Sequence, residues 1–119
     1  MRKAFTMWVN GEAHAEYKLR HDALWPELRE VLERHGVRSY SIFLQPSMNM
    51  LFAYAEIETA EQWDAIALTP ECRRWWTHMR DIMPTHPDDS PVSADLAEVF
   101  HMEVGGLLTN QRPGDPPAG

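Results

Sequence analysis

The chain has 119 residues and a mass of 13.8 kDa, which is room for one domain and not two. Eleven basic side chains against eighteen acidic ones give a formal charge of −7, which argues against a binder of nucleic-acid phosphates or of anionic membranes, since both need a basic patch. The lone Cys72 excludes an intramolecular disulfide framework and a multi-cysteine zinc site, and no apolar run approaches the ~18 residues of a membrane span. The first residues lack a signal-peptide core, so a soluble cytoplasmic protein is expected.

Residues 2–9 are rich in strand formers and close on Asn10-Gly11, which is turn chemistry, so they predict a first strand. Residues 12–35 are helical in pattern, with Tyr17, His21, Leu24, Leu28, Val31 and His35 recurring every three or four positions. Pro26 lies inside that stripe and removes an amide donor, which predicts a kink or two consecutive helices meeting near residues 22–26; Gly36 is the C-terminal stop. Residues 37–44 alternate as a second strand, with Tyr40, Ile42 and Leu44 on one face and Ser39, Ser41 and Phe43 on the other. Gln45-Pro46-Ser47 turns the chain into a third strand over residues 48–57, hairpin-paired to the second.

Thr59, with Gln62 three residues on, has the pattern that satisfies free amides at a helix start, so residues 60–68 predict a short helix. Pro70 suits the first position of a longer helix over residues 71–83. Prolines 84, 87 and 91 enforce an extended loop, and residues 96–103 predict a fourth strand. The order strand, helix, strand, strand, helix, strand (βαββαβ) is the split βαβ or ferredoxin-like α+β arrangement: a four-stranded antiparallel sheet with helices on one face. Such a sheet should be apolar on its helix side alone. Trp8, Phe43, Tyr54, Phe100 and Met102 leave neither face clearly polar, which predicts a homodimer through the open face. The fold is expected over residues 1–103. Residues 104–119, with four Gly and three Pro, read as a disordered tail.

Six histidines invite a metal site, yet they form no His-x-x-x-His pair, and none is expected. A Gly-rich phosphate loop and a nucleophile elbow are absent from the sequence, which sets phosphoryl and covalent acyl transfer aside. The chemistry concentrates on Tyr17 and His21, which at spacing i, i+4 share the inward face of one helix. An imidazole has the unperturbed pKa suited to moving protons near neutrality. Tyr40 would place a phenol at the floor of the same cavity, against the plainer reading of a core tyrosine whose hydroxyl reaches solvent. Trp75 and Trp76 point about 100° apart on a helix, so one indole can face the core while the other lines a cleft. Phenols, indoles and one titrating imidazole suit an uncharged polyhydroxylated ligand better than a nucleotide or an acid.

Several segments carry a resemblance to a known family. They are Arg2-Lys3-Ala4-Phe5, Glu16-Tyr17-Lys18-Leu19-Arg20-His21 with Leu24-Trp25-Pro26-Glu27-Leu28, Phe52 through Glu58, Cys72-Arg73-Arg74-Trp75-Trp76, and Pro87 through Ser93 with Glu98-Val99-Phe100. Over residues 1–103 in unbroken order, the chain closely resembles the L-rhamnose mutarotases. The resemblance implies a dimeric α/β barrel of ferredoxin-like subunits, no metal and no cofactor, and interconversion of the α and β anomers of L-rhamnopyranose. It carries the proton donor onto His21 and the sugar-binding positions onto Tyr17, Tyr40, Trp75 and Trp76; for the anomeric hydroxyl, water or a nearby phenol such as Tyr17 is the expected partner. The chain departs from the family in its longer tail after Glu103 and in His101 and Met102. The rival expectation is a cofactor-free monooxygenase or haem-handling protein of the same fold, and a third is a non-catalytic sensor.

Overall fold

The computed structural model describes residues 1–105, so nearly all of the expected tail lies outside the described residues. The elements run β1 (Arg2–Trp8), α1 (His14–Asp22), α2 (Pro26–Arg34), β2 (Val37–Gln45), β3 (Met50–Ile57), α3 (Ala60–Ile66), α4 (Pro70–Met79) and β4 (Ala94–Leu96). The four strands form one antiparallel sheet in the order β2-β3-β1-β4, the expected ferredoxin-like topology. Residues 46–48 make one turn of 3-10 helix between β2 and β3, closed by Asn49 in the left-handed region that Asn tolerates.

Local chemistry explains the breaks. A residue before proline is pushed out of the helical region, and Trp25 is extended (φ −61°, ψ 130°), so α1 and α2 are separate helices with Pro26 opening the second. Gly36 ends α2 at φ +81°, where a Cβ would come within 2.9 Å of the Glu58 side chain. Thr59 Oγ1 accepts from the Gln62 amide at 3.1 Å and Thr69 Oγ1 accepts from the Cys72 amide at 3.3 Å, each capping a helix N-terminus. The two later helices are shorter than the pattern predicts. Residues 67–69 close α3 in hydrogen-bonded turns, and α4 stops at Met79, after which the chain must leave the helical region ahead of Pro84.

The fourth strand corrects the sequence expectation of residues 96–103. It covers Ala94–Leu96 only, paired Ala4 with Leu96 and Thr6 with Ala94. In that register residue 98 falls opposite Arg2, so β1 runs out of backbone where the apolar stretch continues. A strand needs a neighbour for its ladder, and residues 99–104 have none among the described residues.

One face of the sheet is buried under the helices. Phe5, Met7, Leu51 and Ala53 meet Leu28, Val31, Trp75 and Met79 there. The other face carries Phe43 (64% exposed), Phe52 (41%) and Leu96 (46%), and the unpaired segment beyond adds Phe100 (77%). Both faces are therefore apolar and only one is covered.

Candidate active site

A cavity of about 1,100 Å³ lies between the inner sheet face and the helices. On the sheet side it is lined by Lys3, Phe5 and Met7 of β1 and Tyr40 and Ile42 of β2, while Ala53 and Ala55 of β3, paired between them, are buried beneath. Tyr40 packs edge-on to Phe5 at a centroid distance of 6.5 Å and lies 5.6 Å from Trp63 of α3, which leaves an aromatic rim around the alanines.

The wall is built by α1 and α4. The i, i+4 spacing stacks the rings of Tyr17 and His21 at 4.3 Å with 23° between planes. His21 Nδ1 lies 3.1 Å from the Tyr17 carbonyl oxygen, which can only accept, so Nδ1 carries a proton and donates it. In the neutral ring Nε2 therefore keeps its lone pair. Trp75 stands edge-on to His21 at 5.3 Å and to Trp25 at 5.0 Å, fixing the imidazole from the side. Trp75 is buried (7% exposed), whereas Trp76 is half-buried, carries the Arg73 guanidinium 5.7 Å from its ring centroid and also lines the cavity.

Burial sets the protonation states. It lowers the His21 pKa below the ordinary imidazole value, outweighing the Tyr17 carbonyl and Asp22, which act the other way. It raises the Tyr17 phenol well above its ordinary range, with Tyr40 adding to the effect, and raises Tyr40 similarly with a contribution from Cys72. Burial also pushes the Cys72 thiol up to about 11, so it is inert at neutral pH. The site thus presents a neutral imidazole and two protonated phenols.

All five residues singled out in the sequence, Tyr17, His21, Tyr40, Trp75 and Trp76, line this one cavity. Sequence reasoning passed over Trp63, Lys3, Asp95 and the loop that brings His86 and Ser90 to the rim. That loop is pinned by Asp89 in the left-handed region (φ +71°), which accepts from Thr77 Oγ1 at 2.8 Å and Arg80 Nη1 at 3.2 Å. Strand parity was the signal for Lys3, which falls on the Phe5 side of β1; the loop residues offered none. Among the described residues no three His, Cys, Asp or Glu side chains are grouped to hold a metal ion.

A four-stranded antiparallel sheet in this topology, covered on one face and enclosing a cavity with an imidazole in its wall, defines a small ferredoxin-like α+β protein with a hollow interior. A dimeric ferredoxin-like protein from an uncultured marine organism shares the fold at a TM-score of 0.59 and 9% identity, covering 86% of this chain and 96% of that one. The family model for L-rhamnose mutarotase matches residues 2–102, and the chain belongs to that family. The L-rhamnose mutarotase of Yersinia pestis is 58% identical over 103 residues, 87% of this chain and 99% of that protein. The crystal structure of the L-rhamnose mutarotase from Formosa agariphila superposes at a TM-score of 0.80 with 44% identity, covering 87% of this chain and 99% of that one.

Proposed function

We propose that the protein interconverts the α and β anomers of L-rhamnopyranose by opening and reclosing the ring, with His21 moving the proton. The observation that carries this reading is the His21 geometry: an imidazole in the cavity wall, its Nδ1–H committed to a carbonyl and its Nε2 left with a lone pair. The anomeric oxygen and the ring oxygen are both bonded to C1, so a single nitrogen can serve both. Nε2 takes the proton of the anomeric hydroxyl, the bond between C1 and the ring oxygen breaks to give the aldehyde, and the imidazolium delivers its proton to the former ring oxygen. Rotation about C1–C2 and the reverse steps give the other anomer. His21 is thus the proton donor to the ring oxygen, and the proton it donates is the one it has just accepted.

Tyr17 and Tyr40 hold their protons and act as hydrogen-bond donors to the sugar, which supersedes any basic role for Tyr17. The indoles of Trp75 and Trp76 offer flat apolar area to the C–H faces of the ring and exclude water. Membership of the mutarotase family favours this chemistry over the monooxygenase and sensor alternatives, which share no more than the fold.

A second copy of the chain covers the outer sheet face. The support is the exposed run of Phe43, Phe52 and Leu96, continued by Val99, Phe100 and Met102, an apolar patch that a lone soluble chain seldom leaves open. No helix among the described residues is long and apolar enough to cross a membrane, and the buried unpaired thiol suits a reducing cytoplasm.

The test is the equilibration of freshly dissolved L-rhamnose, followed by optical rotation. General acid–base help is typically worth roughly 10²- to 10⁴-fold, and His21→Ala is expected to lose a factor in that range. Equilibration by the variant at the wild-type rate would remove His21 from the mechanism.

A further inference from the structure

Lys3 and Asp95 lie on the inner sheet face among apolar neighbours, and the mechanism above gives them nothing to do. Lys3 shares its face of β1 with Phe5 and Met7, and its side chain is 26% exposed. Asp95 is paired in register with Phe5, so it falls on the same face, and both residues line the cavity. Lys3 Nζ is 3.3 Å from Asp95 Oδ1, a single long contact, and the Asp95 side chain is 78% exposed. Two of the three ammonium donors, and the second carboxylate oxygen, have no protein partner among the described residues.

Holding β4 to β1 does not require this pair. On the opposite face Arg2 donates to both Glu98 oxygens, at 2.8 and 3.0 Å, in the fork geometry that makes a strong tie. The inner pair is the looser of the two and is placed where a ligand would meet it. Tyr40, Ala55 and Lys3 form one row across β2, β3 and β1. Strand spacing puts the backbones of Tyr40 and Lys3 about 10 Å apart, with only the methyl of the buried Ala55 between them. That span suits a pyranose ring with its hydroxyls.

We propose that Lys3 and Asp95 form a second sugar-binding point that holds two adjacent hydroxyls of the substrate, Lys3 Nζ donating to one and Asp95 accepting from the other. The inference rests on the reading of the cavity as a sugar site and adds a determinant of hydroxyl specificity to it. A hydroxyl both donates and accepts, so a neighbouring pair of them meets an ammonium and a carboxylate at once. A balanced ion pair also fits a neutral ligand, whereas a lone lysine would favour an acid. With C1 committed to His21, the remaining hydroxyls of the ring are the ones left for this wall.

The experiment is saturation kinetics of anomer exchange for wild type, Lys3→Met, Asp95→Ala and the outer-face control Arg2→Met, using L-rhamnose and its 2-, 3- and 4-deoxy derivatives. Hydrogen bonds to charged groups imply a KM increase of about ten- to a hundredfold in the two inner variants, with kcat within a few-fold of wild type and Arg2→Met unchanged. Two of the deoxy derivatives, each lacking one of the adjacent hydroxyls, should lose a similar factor with the wild type, and each should lose little more with the variant whose contact to that hydroxyl is already gone. Asp95 is exposed, so its variant keeps the test open should Lys3→Met fold poorly. A wild-type KM in Asp95→Ala, or equal further losses for every deoxy derivative, would reduce the pair to a structural tie. A wild type that did not accelerate L-rhamnose equilibration at all would overturn the functional reading and this inference with it.

Discussion

At the scale of single residues, the proposed proton transfer turns on how His21 is buried. The folded protein holds its pKa below the ordinary value of 6.5, so the neutral form that the proposed mechanism starts from dominates at pH 7. The rate should therefore be flat through neutrality and fall on the acid side, with a midpoint below 6.5, as Nε2 becomes protonated; a pH–rate profile of kcat/KM checks this. The sign for stability follows from linkage. Between the lowered folded pKa and the unfolded value the unfolded chain binds more protons, so His21 penalises folding increasingly as pH drops through that window and contributes no penalty above it. Chemical denaturation at pH 7 and pH 5.5 should show a loss in the wild type that is smaller in His21→Gln. The Tyr17 and His21 pair was legible from its i, i+4 spacing alone, and strand parity exposed Tyr40. The pairing of Lys3 with Asp95 was not, because its members are 92 positions apart and only the sheet register brings them together.

At the scale of elements, α4 shows how adjacent residues of one type take different duties. Trp75 is buried against Trp25, His21 and His78, while Trp76 stays half-open at the cavity. Trp75→Ala should cost about 3–5 kcal/mol of stability, as large-to-small changes in cores do, measured by urea unfolding. Trp76→Ala should leave the unfolding midpoint close to wild type and weaken L-rhamnose binding, measured by calorimetry. The helical period predicted this division without saying which indole goes where, since that depends on the path of α1 over the sheet. The break between α1 and α2 and the caps at Thr59 and Thr69 are local chemistry and were legible. The fourth strand was misjudged because alternation in residues 96–103 reports what a segment could pair with, and the register of β1 decides how much of it does.

At the scale of the whole molecule, the uncovered sheet face sets the expected assembly. Phe43 and Phe52 are directly paired across β2 and β3 and project together from that face. Sedimentation should give a dimer for the wild type and a monomer for Phe52→Asp, because a carboxylate at the centre of an apolar contact is left without a partner. A wild-type monomer would sink the assembly. Inside the fold, the two alanines of β3 have a consequence for the cavity above them. Both are buried, so a larger side chain at either position would have to displace the aromatic neighbours that frame the cavity, at a cost of typically about 1–3 kcal/mol. The chain keeps the smallest side chains at the centre of its most protected strand. Phe5, Tyr40 and Trp63 can therefore close together over the strand, and two methyl groups that do not line the cavity set its shape from beneath.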